Sequence, residues 1–383
     1  MSNRRSRRIH TQSFLYSYRI YKKISSDIIV YALVDSSYGK FAYQDLTPEN
    51  LLNNGINIVD INGLTLKQLI HDYAIDKIFI GCAQYWGNRF DIENITIPTV
   101  CIIHDLCDEE YERNFIGDYI RLKKFKEYLR WKFFVFRKGK VNLLRIPPIV
   151  KQAKMNREFK IICVSEYSKN SLAYNFAYPL DKIEVLYSPE RINIKKDGID
   201  DIELNKIVSS GIKYYLMLSA NRPYKNPDKV FNAFRKFVEC GHEDIYMVTT
   251  GCKEQKFKNH IPLDYLSDSD LFHLMIHCYA LLFPSFFEGF GYPPVEAMSF
   301  GKPVSSSNVT SMPEILGDAP IYFSPFYESD IFRALNVLNS VNYEDYVKKA
   351  QKRYAIISRK QELDLEKLIQ TIITPTHNND NRQ

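Results

Sequence analysis

The stretch FPSFFEGFGYPPVEAMSFG, residues 283–301, constrains this chain more than any other. An apolar strand over Tyr279–Pro284 runs into a glycine loop, Gly289-Phe290-Gly291, and a short helix over Pro294–Phe300 leaves it. Proline suits a first helical turn, where an N–H is unpaired anyway, and Gly301 suits the stop. Such a loop offers backbone N–H groups and a helix N-terminus to an anion. Glu288 and Glu296 flank it, eight positions apart. Carboxylates repel a phosphate but accept sugar hydroxyls. On this reading Glu296 sits in the first helical turn and takes a ribose diol, while Glu288 takes the hydroxyls of a sugar. The segment therefore points to a phosphorylated sugar or a nucleotide-sugar.

Around it, β-branched apolar runs alternate with helical ones. Asp27–Val34, Lys77–Gly81, Thr99–His104, Lys160–Ser165 and Lys182–Tyr187 read as buried parallel strands, with helices over Leu64–Tyr73 and Tyr167–Phe176. A second series has strands at Tyr214–Ser219, Ile245–Gly251, Ala280–Pro284, Pro303–Ser306 and Ala319–Phe323. Helices at Pro227–Glu239, Asp268–His277 and Pro294–Phe300 separate them. Two βαβ series in 383 residues predict an α/β protein of two doubly wound, Rossmann-like domains. The boundary falls in the polar stretch Ser188–Gly211. The expected division is a first Rossmann-like domain over 1–188, a second over 189–355, and a tail over 356–383. The tail continues a helical pattern from Tyr343 to Ile373, broken near Ser358, and its end from His377 reads as disordered.

Seven cysteines without a CxxC pair favour reduced thiols and a cytoplasmic protein over a disulfide frame or a zinc site. No apolar run approaches the roughly 20 residues of a spanning helix, and no secretory apolar region follows the basic N-terminus. The net charge of +6 is unevenly spread: residues 121–160 hold fourteen Lys or Arg against Glu127 and Glu158, with aromatics interleaved. That segment fits a solvated helical hairpin with its aromatics inward. It also fits peripheral contact with an anionic membrane face or a lipid-linked acceptor. Nucleic acid is the least favoured partner.

Other candidates stand at strand ends. Ser219-Ala-Asn-Arg-Pro-Tyr-Lys-Asn226 follows a strand of the second series, and Arg222 and Lys225 are placed to hold a diphosphate; otherwise the segment is a solvated loop. His104, followed by Asp105, ends a strand of the first series and is either a structural histidine or a contact to the reacting sugar. Ser165-Glu-Tyr-Ser168 reads as a helix N-cap that can also line a site. Asp268-Ser-Asp270 has the DxD spacing of some metal sites, but it opens an amphipathic run, and capping explains it better. No metal site is expected.

From Glu288 to Pro325, EGFGYPPVEAMSFGKPVSSSNVTSMPEILGDAPIYFSP, the chain resembles the retaining GT-B glycosyltransferases of the large group that includes bacterial mannosyltransferases and sucrose synthases. The family's paired glutamates fall on Glu288 and Glu296, its KN lysine on Lys225, its HD histidine on His104 and its VSEYSK element on Val164–Lys169. The resemblance spans roughly 60–330. It implies a GT-B fold with two lobes facing across a cleft. It also implies metal-free, cofactor-free transfer of a hexose, weakly favouring mannose, from a nucleotide-diphospho-sugar to a saccharide or lipid-linked acceptor. His104, Arg222, Lys225 and Glu288 are then the candidate catalytic residues. Ser219, Gly289, Phe290, Gly291 and Glu296 are the candidate donor-binding ones. The chain departs from the family in three places. Its first 23 residues read as a helix where a strand and glycine loop are usual. The family's arginine position, five or six before the lysine, holds Ser219 and Ala220, leaving Arg222 as the substitute. The stretch between Gly251 and Tyr265 is short. The altered N-terminus motivates the alternative of a non-catalytic nucleotide-sugar-binding or scaffold protein of the same fold.

Overall fold

A computed structural model of the chain describes residues 28–34, 56–61, 63–83, 95–107, 110, 146–190 and 198–374. It divides into two compact units, one of 1–191 with 362–383, the other of 192–361.

In the first unit, strands β1 (Tyr31–Val34) and β2 (Asn57–Asp60) form a parallel pair. A second parallel sheet runs β3 (Ile78–Ile80), β4 (Thr99–Ile103), β5 (Phe159–Cys163), β6 (Ile183–Val185), in that order. All five residues of β4 are buried, as expected of a strand covered on both faces. Helix α1 (Leu66–Asp72) begins at a capping box in which Thr65 and Gln68 satisfy each other's backbone N–H groups. Helices α2 (Ile146–Met155) and α3 (Glu166–Phe176) lie beside β5. The first of these takes up the end of the basic 121–160 segment; residues 121–145 fall outside the described residues, as do the N-terminal 23 and the tail beyond Thr374.

The second unit is built on one six-stranded parallel sheet, with strands β7 (Lys213–Met217), β8 (Ile245–Thr250), β9 (His260–Leu263), β10 (Ala280–Phe283), β11 (Val304–Ser307) and β12 (Ile321–Phe323). Their spatial order is β12-β11-β10-β7-β8-β9. The chain therefore winds outward from β7 in one direction, returns, and winds outward from β10 in the other. Between β7 and β10 the order reverses, and open parallel sheets bind ligands outside the carboxyl ends of the strands at such a point.

Helix α4 (Ile202–Ser210) enters this unit with Asp201 as its N-cap and ends at Gly211 in the left-handed conformation, φ 65°. Helix α5 (Pro227–Glu239) buries Val230, Ala233, Phe234 and Phe237, one stripe at helical spacing, against Tyr215 of β7 and the helix α9 (Glu328–Ser340). Full burial of each of these large side chains contributes roughly 1.5–3 kcal/mol. Helices α6 (Asp268–His277), α7 (Tyr292–Ser299) and α8 (Met312–Leu316) complete the crossovers.

The last helix, α10 (Tyr343–Ile373), is continuous, against the expected break near Ser358. Its 31 residues contain neither glycine nor proline, and serine alone does not interrupt a helix whose neighbours favour it. Its end belongs to the first unit, where Lys77 Nζ donates to the carbonyls of Thr371 (3.2 Å) and Thr374 (2.8 Å). There too the Asp364 carboxylate accepts the Tyr187 N–H at 2.7 Å. No helix among the described residues is long and apolar enough to cross a membrane.

Candidate active site

The loop leaving β7 is shaped by its backbone. Ser219 takes a left-handed conformation (φ 58°) and its N–H donates to Thr250 Oγ1 at 3.0 Å, while the N–H of Ala220 donates to the Thr250 carbonyl at 2.8 Å. Both bonds tie the loop to the end of β8. A single 3-10 turn over Pro223–Lys225 follows. Asn226, left-handed at φ 58°, hands the chain to Pro227 at the start of α5 and anchors its own side-chain amide on the Pro325 carbonyl at 2.8 Å. Lys225 is thus fixed at a helix start, buried, with its Nζ 4.3 Å from the centre of the Phe283 ring.

The loop leaving β10 meets it. The Phe286 N–H donates to the Tyr224 carbonyl at 2.8 Å, joining the two loops backbone to backbone. Two residues on, the Glu288 carboxylate bonds to Lys225 Nζ; the two side chains are 17% and 8% exposed. Glu288 is gripped from the other side by its main chain: its N–H donates to Thr310 Oγ1 (3.2 Å) and its carbonyl accepts from Ser311 Oγ (2.9 Å). Gly291 then turns the chain at φ 83°, and a Cβ there would stand 2.4 Å from Cε of the buried Met312, so no other residue fits without displacement.

Helix α7 starts at Tyr292, two residues earlier than the prolines suggest, with Gly291 as its N-cap and the prolines inside its first turn. Glu296 is consequently its fifth residue and lies past the first turn, where the macrodipole has weakened; this corrects the expected first-turn position. Gly289 is buried and Phe290 is 3% exposed, its ring 5.2 Å from that of Tyr292, so the phenyl serves packing and the loop presents backbone.

Arg222 lies at the mouth of the same loop. Its Nη1 donates to Tyr224 Oη at 3.0 Å, and Tyr265, beyond β9, provides a second phenol oxygen. Burial lowers the guanidinium pKa, and the two phenols more than offset this, so Arg222 stays charged. In sum, the structure brings Ser219, Arg222, Lys225, Glu288, the glycine loop and Glu296 to the carboxyl ends of β7 and β10, at the reversal of strand order. Thr310, Ser311, Tyr224 and Tyr265 join them, residues to which the sequence alone assigns no role.

These residues fall inside a recognisable family pattern. Residues 203–353 match the family model for glycosyl transferases group 1. That match covers most of the second unit. The chain is 27% identical to the serotype-specific mannosyltransferase WbdA of Escherichia coli over 338 residues, covering 80% of this chain and 39% of that protein. It is 30% identical to the O-antigen chain mannosyltransferase B of Escherichia coli over 189 residues, 43% of this chain and 47% of that one. The chain therefore spans less than half the length of these curated relatives. Among solved structures it is similar to Anabaena Alr3699/HepE, crystallised in complex with UDP and glucose, with a TM-score of 0.63 at 15% identity over 95% of this chain and 96% of that chain. The fold is GT-B.

In the first unit, His104 follows β4, and the ring is buried. Its Nε2 lies 2.9 Å from the Gly81 carbonyl, which can only accept, so Nε2 carries the hydrogen. Burial lowers its pKa, keeping the imidazole neutral. Its carbonyl accepts from Ser168 Oγ at 3.1 Å, and Ser168 in turn gives its N–H to Ser165 Oγ at 3.1 Å. The Ser165–Ser168 element is thus the N-cap of α3 and a strut under His104. The Glu110 carboxylate accepts from Tyr167 Oη (2.7 Å) and from Ser171 Oγ, pinning the same helix to the segment after β4.

The DxD pair lies in the first turn of α6, behind its N-cap Ser267. Asp270 Oδ2 accepts from Ser267 Oγ (2.8 Å), its N–H donates back to the same hydroxyl (3.0 Å), and Oδ1 accepts the N–H groups of Asp200 (2.9 Å) and Asp201 (3.4 Å). A carboxylate so committed, and 4% exposed, is a structural joint between α4 and α6.

Proposed function

We propose that this protein is a retaining hexosyltransferase that needs no metal or cofactor. It moves a hexose, mannose in the first instance, from a nucleotide-diphospho-sugar to a saccharide or lipid-linked acceptor in surface-polysaccharide synthesis. The reading rests on one observation: Lys225 and Glu288, a cation and a carboxylate from two different strand ends, meet at the reversal of strand order beside the N-terminus of α7. The mannosyltransferase names of its relatives favour mannose, and the UDP complex of a GT-B neighbour favours a nucleotide donor.

In this mechanism Lys225, Arg222 and the amides of Gly289–Gly291 stabilise the departing diphosphate. Glu288 and Glu296 hold hydroxyls of the sugar and the ribose, and His104 contacts the reacting sugar. The bond from the anomeric carbon to the phosphate oxygen breaks, and an acceptor hydroxyl forms its bond on the same face. The acceptor's proton passes to the leaving phosphate oxygen. Removing one preorganised charge from such a site costs about 100- to 1,000-fold in rate. The reaction is proposed to run at the cytoplasmic face of a membrane, where the positive charge of residues 121–160 would favour anionic lipid or a lipid-linked acceptor.

Incubation with GDP-mannose, UDP-glucose and other sugar nucleotides, scored by nucleoside-diphosphate release and by NMR of the anomeric proton of the product, tests this. A product with inverted configuration refutes retention. Donor binding with no turnover against any acceptor pool, in the full-length chain, favours the binding-protein alternative.

A further inference from the structure

The two cations of the β7 loop are held in different ways. Lys225 is matched to a carboxylate, Glu288. Among the described residues Arg222 is matched to none; its Nη1 donates to the Tyr224 phenol oxygen at 3.0 Å, and the Tyr265 phenol lies near enough to favour its charge. The Tyr265 hydroxyl donates onward to Asn221 Oδ1 at 2.7 Å, which leaves its lone pairs for the guanidinium. A phenol is uncharged at neutral pH. The clamp therefore orients the planar fork without cancelling its charge, whereas a carboxylate would do both.

The clamp also needs room at a third strand end. Gly251, just past β8, has φ 75°, and a Cβ there would lie 3.0 Å from Asn221 Oδ1 and 3.2 Å from Tyr265 Cζ. A glycine at this point is what lets the chain after β9 close onto the loop after β7. Ser219 and Ala220 occupy the positions where the resembling family carries its arginine, so an arginine displaced along the loop has to be aimed by its neighbours.

Resting on the donor reading above, we propose that Tyr224 and Tyr265 are positioning residues that fix Arg222 as the uncompensated cation for the donor's diphosphate. Gly251 keeps the space they need. Lys225 exchanges an internal partner for phosphate, while Arg222 meets phosphate with its charge whole. Arg222 then contributes the larger share of diphosphate affinity, and that share depends on two hydroxyl groups that never touch the ligand.

The test is calorimetric titration of the full-length chain with GDP and with UDP, and inorganic pyrophosphate as competitor, for the wild type, Tyr224→Phe, Tyr265→Phe, Gly251→Ala and Arg222→Ala. Each phenylalanine is expected to weaken diphosphate binding roughly 10-fold, the cost of one hydrogen bond to a charged group. Neither should weaken it further in the Arg222→Ala background. In turnover Tyr224→Phe and Tyr265→Phe should raise KM for the donor with kcat nearly unchanged, whereas Arg222→Ala should lower kcat as well. Wild-type binding left unchanged by both phenylalanines overturns the clamp alone, as do effects that add to Arg222→Ala. A wild type that binds neither nucleotide nor pyrophosphate overturns the donor reading, and the clamp with it.

Discussion

Lys225 Nζ is bonded to the Glu288 carboxylate, and both side chains are largely out of water. The cation at the switch point and the carboxylate beside it therefore neutralise each other across two strand ends. Burying one without the other is costly, on the order of 3 kcal/mol when a partner is removed. Lys225→Ala and Glu288→Ala should each lose that stability as well as transfer. A Lys225→Met, Glu288→Leu double variant should regain most of the stability and none of the transfer. Urea unfolding alongside turnover separates the two: a single variant as stable as the wild type would mean that the pair contributes nothing to the fold.

Gly291 sets the shape of the loop that follows. With φ at 83° and Met312 Cε 2.4 Å from where a Cβ would stand, Gly291→Ala meets both backbone strain and a buried side chain. Strain of this kind costs about 1–3 kcal/mol. The expected result is a lower urea midpoint and weaker donor binding. Met312→Ala added to it should relieve the contact but not the strained φ, so stability should return only in part. Full recovery would show that the conformation costs nothing.

His260 gives a pH signature. Lys256 N–H donates to its Nδ1 at 3.0 Å, so Nε2 carries the hydrogen and faces Thr249 Oγ1 at 2.9 Å, with the ring 5.0 Å from that of Phe231. Burial first, and then the Lys256 charge, lowers its pKa to about 4, against 6.5 ordinarily. Between those values the unfolded chain binds a proton that the folded one refuses. Stability is therefore full above pH 6.5 and falls as pH drops toward 4, by on the order of 3 kcal/mol in total. Unfolding measured from pH 7 to 4.5 should show a steeper loss in wild type than in His260→Gln. Parallel curves would place the proton elsewhere.

How far the sequence carries these arguments differs from one element to another. The limits of α5 and α6 are readable because Pro227 and Ser267 mark where a backbone can turn into a helix. Strand β9 is not, since HIPL has only four residues and a proline in the middle; it is tolerated because β9 is the edge of the sheet. Strand β2 is equally short, α4 hides in a polar stretch that reads as a boundary, and α9 carries no cap that announces it. At the site, Lys225 and Glu288 are legible as strand-end residues, but their contact is not. It depends on β7 lying next to β10, 63 residues apart at the pair itself, and no local pattern encodes that neighbour. Thr310 and Tyr265 are missed for the same reason: each acts on a residue supplied by another strand end.

Asp270 bears on whether a metal takes part. Both carboxylate oxygens are committed, to the Ser267 hydroxyl and to the backbone N–H groups of Asp200 and Asp201. Drawing this group toward a cation would take away the brace on Ser267, the N-cap of α6, and release the start of α4. Replacement by alanine removes the charged acceptor that the Ser267 hydroxyl and the Asp200 and Asp201 N–H groups use, a loss of about 1–3 kcal/mol. Asp270→Ala should therefore lower the urea midpoint and leave the donor KM of the remaining folded protein near the wild-type value. Transfer assayed after exhaustive EDTA treatment should proceed at the untreated rate, because Lys225, Arg222 and the loop amides supply the positive charge that a divalent ion provides elsewhere. A rate that collapses with EDTA and returns with magnesium or manganese would show that fixed cations are not sufficient here. If Asp270→Ala then also abolished that metal response at unchanged stability, the pair Asp268–Asp270 would be a ligand set after all.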